Sequence, residues 1–181
     1  MKIQNTSIEG LLIIHPAVFR DERGYFFESF NKKHFEKLTG YKKEFIQDNQ
    51  SLSQKNILRG MHFQKPPFSQ AKLVRVTQGS VLDVVVDLRK NSPTYGNHYT
   101  IELSAKNLLS LFIPEGFAHG FLTLEDETIF LYKCTEFYNK ESEATLMWND
   151  PHLAIDWKTE NPIVSEKDKT GIAFSNFNSP F

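Results

Sequence analysis

Six short runs rich in β-branched and aromatic residues follow one another between residues 71 and 138, and that succession leaves little room for a helical fold. They are 71–77 (AKLVRVT), 81–88 (VLDVVVDL), 98–104 (HYTIELS), 108–113 (LLSLFI), 119–124 (HGFLTL) and 128–138 (TIFLYKCTEFY). Turn-forming residues separate most of them, at Gln78-Gly79, Asn91-Ser92-Pro93 and Pro114-Glu115-Gly116. Many short strands at near-regular spacing predict an all-β sandwich or barrel. Residues 24–30 (GYFFESF) read as a further strand, part of an N-terminal strand arm. Helix is confined to 32–39, between Asn31 as N-cap and Gly40 as the residue past its end, and to a turn starting at Ser165.

Composition narrows the function classes. The 181 residues carry 24% charged side chains and a net charge of −1, without the basic excess that a general nucleic-acid binder needs. No linker or repeat divides the chain, so residues 1–181 are expected to form one unit. The single cysteine, Cys134, allows no intrachain disulfide. The only apolar run near the N-terminus is LLII, too short for a signal-peptide core, and no stretch approaches a membrane span. The expectation is a cytoplasmic protein with neither nucleic-acid nor membrane partners. Sixteen phenylalanines suggest an aromatic-lined interior.

Two segments carry the chemistry. In Ile57-Leu58-Arg59-Gly60-Met61-His62-Phe63-Gln64 and in Pro114-Glu115-Gly116-Phe117-Ala118-His119-Gly120-Phe121, a histidine interrupts an apolar strand. A metal site of the barrel type would want His-x-His and a carboxylate, but the partner of His62 is Gln64. Two histidines and an amide are too few ligands, so no metal is expected. The other use of such a histidine is as a general base, which needs an acceptor on its second nitrogen. Asp83, Asp87 and Asp168 all qualify. Arg59 and His62 have opposite strand parity, and both face one cavity only if Gly60 makes a bulge. Lys72 shares a face with Val74 and Val76, where it either snorkels or supplies positive charge to a developing oxyanion. Tyr132 and Tyr138 differ by six, so in an unbroken strand they face one side about 20 Å apart. Ser165-Glu166-Lys167-Asp168 fits a capping box, in which Asp168 does no more than cap a helix.

Together these segments resemble the dTDP-4-dehydrorhamnose 3,5-epimerase family, a cupin-type jelly roll. The likeness runs through Phe19–Glu28, Gln47–Ser51, LRGMHFQ (58–64), AKLVRV (71–76), DLRKNSPTYG (87–96), PEGFAHGF (114–121), YKCTEFY (132–138), WNDP (148–151), IDW (155–157) and SEKD (165–168). The resemblance implies His62 as base, Asp168 as its orienting carboxylate, Tyr132 as proton donor and Lys72 as the group that stabilises an enolate. It implies Tyr138 as the stacking partner of a thymine ring. Arg23, Glu28, Gln47, Asn49, Arg59, His119, Glu143 and Lys167 fall where that family binds nucleotide, diphosphate and sugar. It further implies a dTDP-sugar substrate, no cofactor, and a homodimer whose N-terminal strand extends into the partner. The competing expectations are an epimerase acting on one centre only, a metal-dependent cupin enzyme, and a sugar-nucleotide binding module without catalysis.

Overall fold

The structure is a computed structural model that describes residues 1–181. Two β-sheets face each other as a jelly roll. The first has the order β1-β2-β10-β7-β12-β5, built from Lys2–Asn5, Leu12–His15, Ser110–Ile113, Lys72–Gln78, Thr128–Cys134 and Gln47–Ser53. The second has the order β13-β6-β11-β8-β9, from Glu143–Thr145, Ile57–Gln64, Phe117–Thr123, Ser80–Asp87 and His98–Ser104. All these pairings are antiparallel, and β14 (Ile163–Val164) adds a short parallel pairing to β6. A separate hairpin, β3 (Phe19–Asp21) with β4 (Gly24–Phe26), joins neither sheet. The all-β expectation and its N-terminal arm hold, with helices limited to α1 (Lys32–Thr39), α2 (Glu166–Lys169) and a 3₁₀ turn at Phe174–Asn176. No helix is long and apolar enough to cross a membrane.

Strand parity divides the interior. Val74 and Val76 of β7, Val81 and Val85 of β8, Phe117 and Phe121 of β11 and Phe130 of β12 point between the sheets into one apolar cluster. The opposite parity of the second sheet is buried too. Leu82, Val84, Val86, Ala118 and Leu122 lie under the C-terminal segment, which contributes Trp157, Phe174, Phe177 and Phe181. This double cover explains why VLDVVVDL is apolar on both faces apart from Asp83 and Asp87 and does not alternate. On the far face of the first sheet, Phe35 of α1 packs on Ile14, Leu73 and Phe112. The Asn31 side chain accepts the His34 N–H, and Gly40 closes the helix in the left-handed region at φ 72°, as its sequence predicts.

Several sequence expectations need correction. The leading strand stops at Phe26, short of residue 30, and the 128–138 run leaves the sheet after Cys134. Tyr138 therefore sits in a loop, so the unbroken strand on which a separation of about 20 Å from Tyr132 depended does not extend that far. Strand β5 (QDNQSLS) had no apolar signal, because only one face of this polar edge strand meets the interior.

Candidate active site

The polar residues gather where the two sheets open at one end of the barrel. Lys72, Tyr132, Asn49, Arg59, His62, His119, Glu143, Lys167 and Asp168 line a cavity of about 640 Å³. A contiguous arm of about 320 Å³ adds Gln47 and Tyr138 and shares His62, Lys72 and Tyr132. Eleven of the thirteen site residues expected from sequence thus meet in one chain. Arg23 and Glu28 do not. Arg23 sits in the β3–β4 hairpin with an 85% exposed side chain paired to Asp21, and Glu28 accepts from Asn31 Nδ2.

A bulge solves the parity conflict between Arg59 and His62. Across from β11, His119 pairs with His62 and Phe121 with Arg59, so β6 spends one extra residue over this stretch. The bulge lies at Gly60 (φ +144°), where a Cβ would stand 2.5 Å from Gly120 Cα. A Cβ on Gly120 would in turn meet Met61 Sδ at 2.7 Å. Only glycine on both strands allows so close an approach.

Among the three aspartates, the tertiary structure pairs Asp168 with His62. His62 Nε2 and Asp168 Oδ1 lie 2.6 Å apart, and the Gly60 N–H donates to Asp168 Oδ2 at 3.3 Å. Only half of the expected capping box forms. The Ser165 hydroxyl accepts the Asp168 N–H at 3.2 Å, while the Asp168 carboxylate turns inward to the histidine. Burial works to raise the Asp168 pKa, but the bonds from His62, Gly60 and Ser165 outweigh it and hold the carboxyl below its usual range. Asp83 serves His119, whose Nε2 lies 3.1 and 3.0 Å from its two oxygens. Burial pushes the Asp83 carboxyl up and the His119 imidazole down, against their mutual attraction. Asp87 is tied to Arg89, Ser92 and Thr94, away from the cavity.

The two walls are chemically different. His62 projects from β6 of the second sheet, whereas Tyr132 and Lys72 project from β12 and β7 of the first. Burial raises the Tyr132 phenol above its ordinary value, which keeps it protonated. Burial lowers the Lys72 ammonium, opposed by the Asp83 and Glu143 carboxyls. Stacked Phe121 and Phe130, with centroids 4.1 Å apart, form an apolar floor between the walls. Beside His62 on the same face, Gln64 turns its amide to backbone groups of two loops, and no group of three His, Cys, Asp or Glu side chains is placed to hold a metal ion.

Comparison with known proteins bears on this geometry. A family model described as dTDP-4-dehydrorhamnose 3,5-epimerase matches residues 5–176. The chain belongs to the dTDP-4-dehydrorhamnose 3,5-epimerase family. The enzyme of that name from Shigella flexneri is 51% identical over 174 residues, covering 96% of each chain. A crystal structure of the Elizabethkingia anophelis enzyme shares 51% identity with a TM-score of 0.94, covering 98% of this chain and 99% of that one. A structure from Legionella pneumophila, in complex with dTDP-4-keto-L-rhamnose, shares 46% identity with a TM-score of 0.94 over 98% and 94% of the two chains. The fold is thus the cupin-type jelly roll of the family, and six of the ten segments that carry the likeness, 47–51, 58–64, 71–76, 114–121, 132–138 and 165–168, contribute residues to one cavity.

Sequence reasoning missed part of this family member's site. It did not assign Asp83 to His119, nor the Phe121–Phe130 floor to the cavity. The inward parity of Phe121 and Phe130 was a usable signal for the floor. For Asp83 the pairing depends on the register of β8 against β11, in which Asp83 stands opposite Phe121.

Proposed function

We propose that this epimerase inverts C3 and C5 of dTDP-4-dehydro-6-deoxy-D-glucose to give dTDP-4-dehydro-L-rhamnose, through an enolate and with side chains as the only acid and base. Both hydrogens are α to the C4 ketone, so loss of either proton places the electron pair on O4. His62 takes the proton. Its Nε2 is committed to Asp168, which leaves Nδ1 to accept. Lys72 offers an ammonium to the enolate oxygen. The Tyr132 phenol returns a proton from the other face, and that inverts the carbon. His62 gains one proton and Tyr132 loses one, so exchange with solvent restores both for the second centre. The observation that carries the reading is that His62 and the Tyr132–Lys72 pair line one cavity from opposite sheets.

Lys167 lines the cavity and Tyr138 its arm, a cation suited to the diphosphate and a ring suited to the thymine of the substrate, with Glu143 bonded to both. Remote binding of that kind orients the sugar. The test is turnover in deuterated water. Label at both C3 and C5 is expected. Label at one carbon only makes the protein a single-centre epimerase, and loss of activity to chelators overturns the side-chain mechanism.

The reading extends to a homodimer acting in the cytoplasm. The β3–β4 hairpin pairs with neither sheet and exposes Phe19, Tyr25 and Phe26. It also carries Arg23 away from its own cavity. A hairpin that reaches the cavity of a second copy explains all three features. An equimolar mixture of refolded Arg23→Ala and His62→Ala chains should recover part of the activity each lacks. A monomer by sedimentation, or a mixture no more active than its parts, refutes the exchange. The lone Cys134 is buried and free, which suits a reducing compartment.

A further inference from the structure

Gln64 is buried on the same strand as His62, two residues further on and on the same face. All of its hydrogen-bonding capacity on the amide nitrogen is used. Nε2 donates to the Phe68 carbonyl at 2.7 Å and to the Phe137 carbonyl at 3.1 Å. Its Oε1 accepts the Asn139 N–H at 2.7 Å. Phe137 and Asn139 are the neighbours of Tyr138 on either side. One side chain thus grips the backbone immediately before and immediately after the ring that closes the arm of the cavity. The 135–142 loop has no regular ladder of its own to hold it.

Tyr138 is fixed from two further directions. Its N–H donates to Gln47 Oε1 at 3.0 Å, and its hydroxyl donates to Glu143 Oε2 at 2.9 Å. Glu143 pairs with Lys167 at 2.5 Å, and Lys167 precedes Asp168, the partner of His62. The contacts form a closed ring from Gln64 through Tyr138, Glu143, Lys167 and Asp168 back to His62 on the strand where it began.

We infer that Gln64 is a positioning residue for the nucleotide end of the substrate, setting the backbone on both sides of Tyr138 so that its ring is held at a fixed place relative to the His62 base. The inference rests on the reading of Tyr138 as the partner of the thymine ring. Glutamine is the residue that this position demands. Two carbonyls need two donors and one N–H needs an acceptor, and a side chain of this length offers that set only as glutamine. Histidine has at most one donor when neutral, and glutamate when ionised has none.

The experiment compares thymidine diphosphate binding by calorimetry with steady-state kinetics for Gln64→Met, Gln64→Glu and Tyr138→Ala. Gln64→Met keeps the volume and removes three hydrogen bonds. It should weaken thymidine diphosphate and raise KM by roughly tenfold or more, with a much smaller change in kcat. Gln64→Glu sets oxygen against two carbonyls, so its affinity should be lowest near neutral pH and improve as the carboxyl gains a proton. That pH trend also serves if Gln64→Met fails to fold. A folded Gln64→Met with affinity within twofold of wild type, beside a weakened Tyr138→Ala, refutes the role of Gln64 alone. So does a fall in kcat at unchanged KM, or a Gln64→Glu affinity indifferent to pH. If Tyr138→Ala itself binds normally, the thymine reading and the inference built on it fall together.

Discussion

Replacing Asp168 by asparagine keeps the size of the side chain and removes one charge, yet its neighbours dictate a loss beyond that charge. The dyad separation is 2.6 Å. At an effective dielectric of 20, a unit charge pair at that distance is worth roughly 6 kcal/mol. His62 is 30% exposed, and that solvent access reduces the figure by about half, to roughly 3 kcal/mol. Such a loss of imidazolium stabilisation slows proton abstraction about two hundredfold. A second effect adds to it. The Gly60 N–H can only donate, so it claims the amide oxygen of the new asparagine. The amide NH₂ then faces His62 Nε2 and draws the ring proton to Nδ1, the nitrogen that must accept. The combined loss should be roughly a thousandfold or more. Asp168→Ala imposes no wrong tautomer and should be less impaired than Asp168→Asn. The assay is deuterium uptake at the sugar carbons, followed by NMR in deuterated buffer. A folded Asp168→Asn that exchanges within tenfold of wild type, or faster than Asp168→Ala, refutes the reasoning.

Tyr132→Phe should uncouple the two half-reactions. The His62 wall still removes protons, so label enters the substrate, but inverted product falls by roughly a hundredfold or more; equal loss of both places the acid elsewhere. Lys72→Met should lower kcat by roughly 10²–10³ with a smaller change in KM. Because burial holds the Lys72 ammonium below its ordinary pKa, wild-type activity should decline as pH rises through that lowered value, and this alkaline limb should be absent from the residual rate of Lys72→Met. Asp87 tests the scaffold. Burial pushes its carboxyl up, but bonds from Arg89, Ser92 and Thr94 prevail and hold it at about 2. Its folded pKa lies below the unfolded value, so the stabilisation is complete above about pH 4 and disappears as pH falls towards 2. The depression corresponds to about 2.5 kcal/mol, which Asp87→Asn should forfeit in urea melts at pH 7. The two proteins should converge in stability near pH 2, and a constant gap across that range contradicts the linkage.

The strands, the helix and the bulge were legible because local rules govern them. Apolar runs punctuated by glycine and proline marked the central strands. Asn31 and Gly40 delimit α1, and the opposite parity of Arg59 and His62 within one strand points to Gly60. Segments with weak local signals were lost. The polar edge strand β5 lacked a pattern, and the aromatic run after Cys134 read as strand although its backbone leaves the sheet and bonds to the Gln64 side chain.

The sequence by itself determined which chemistry was available: an imidazole, a phenol, an ammonium and a choice of carboxylates, set in strands whose alternation directs them to one interior. Tertiary structure decided how they pair. Asp83 and Asp168 are equivalent in one dimension, and only the register of β8 against β11 and the docking of α2 beside β6 give each its histidine. The physical reason is that a hydrogen bond is satisfied within about 3 Å, while the residues joined here lie 36 and 106 positions apart. Contacts over such separations follow from the packing of the two sheets, and no local pattern encodes them.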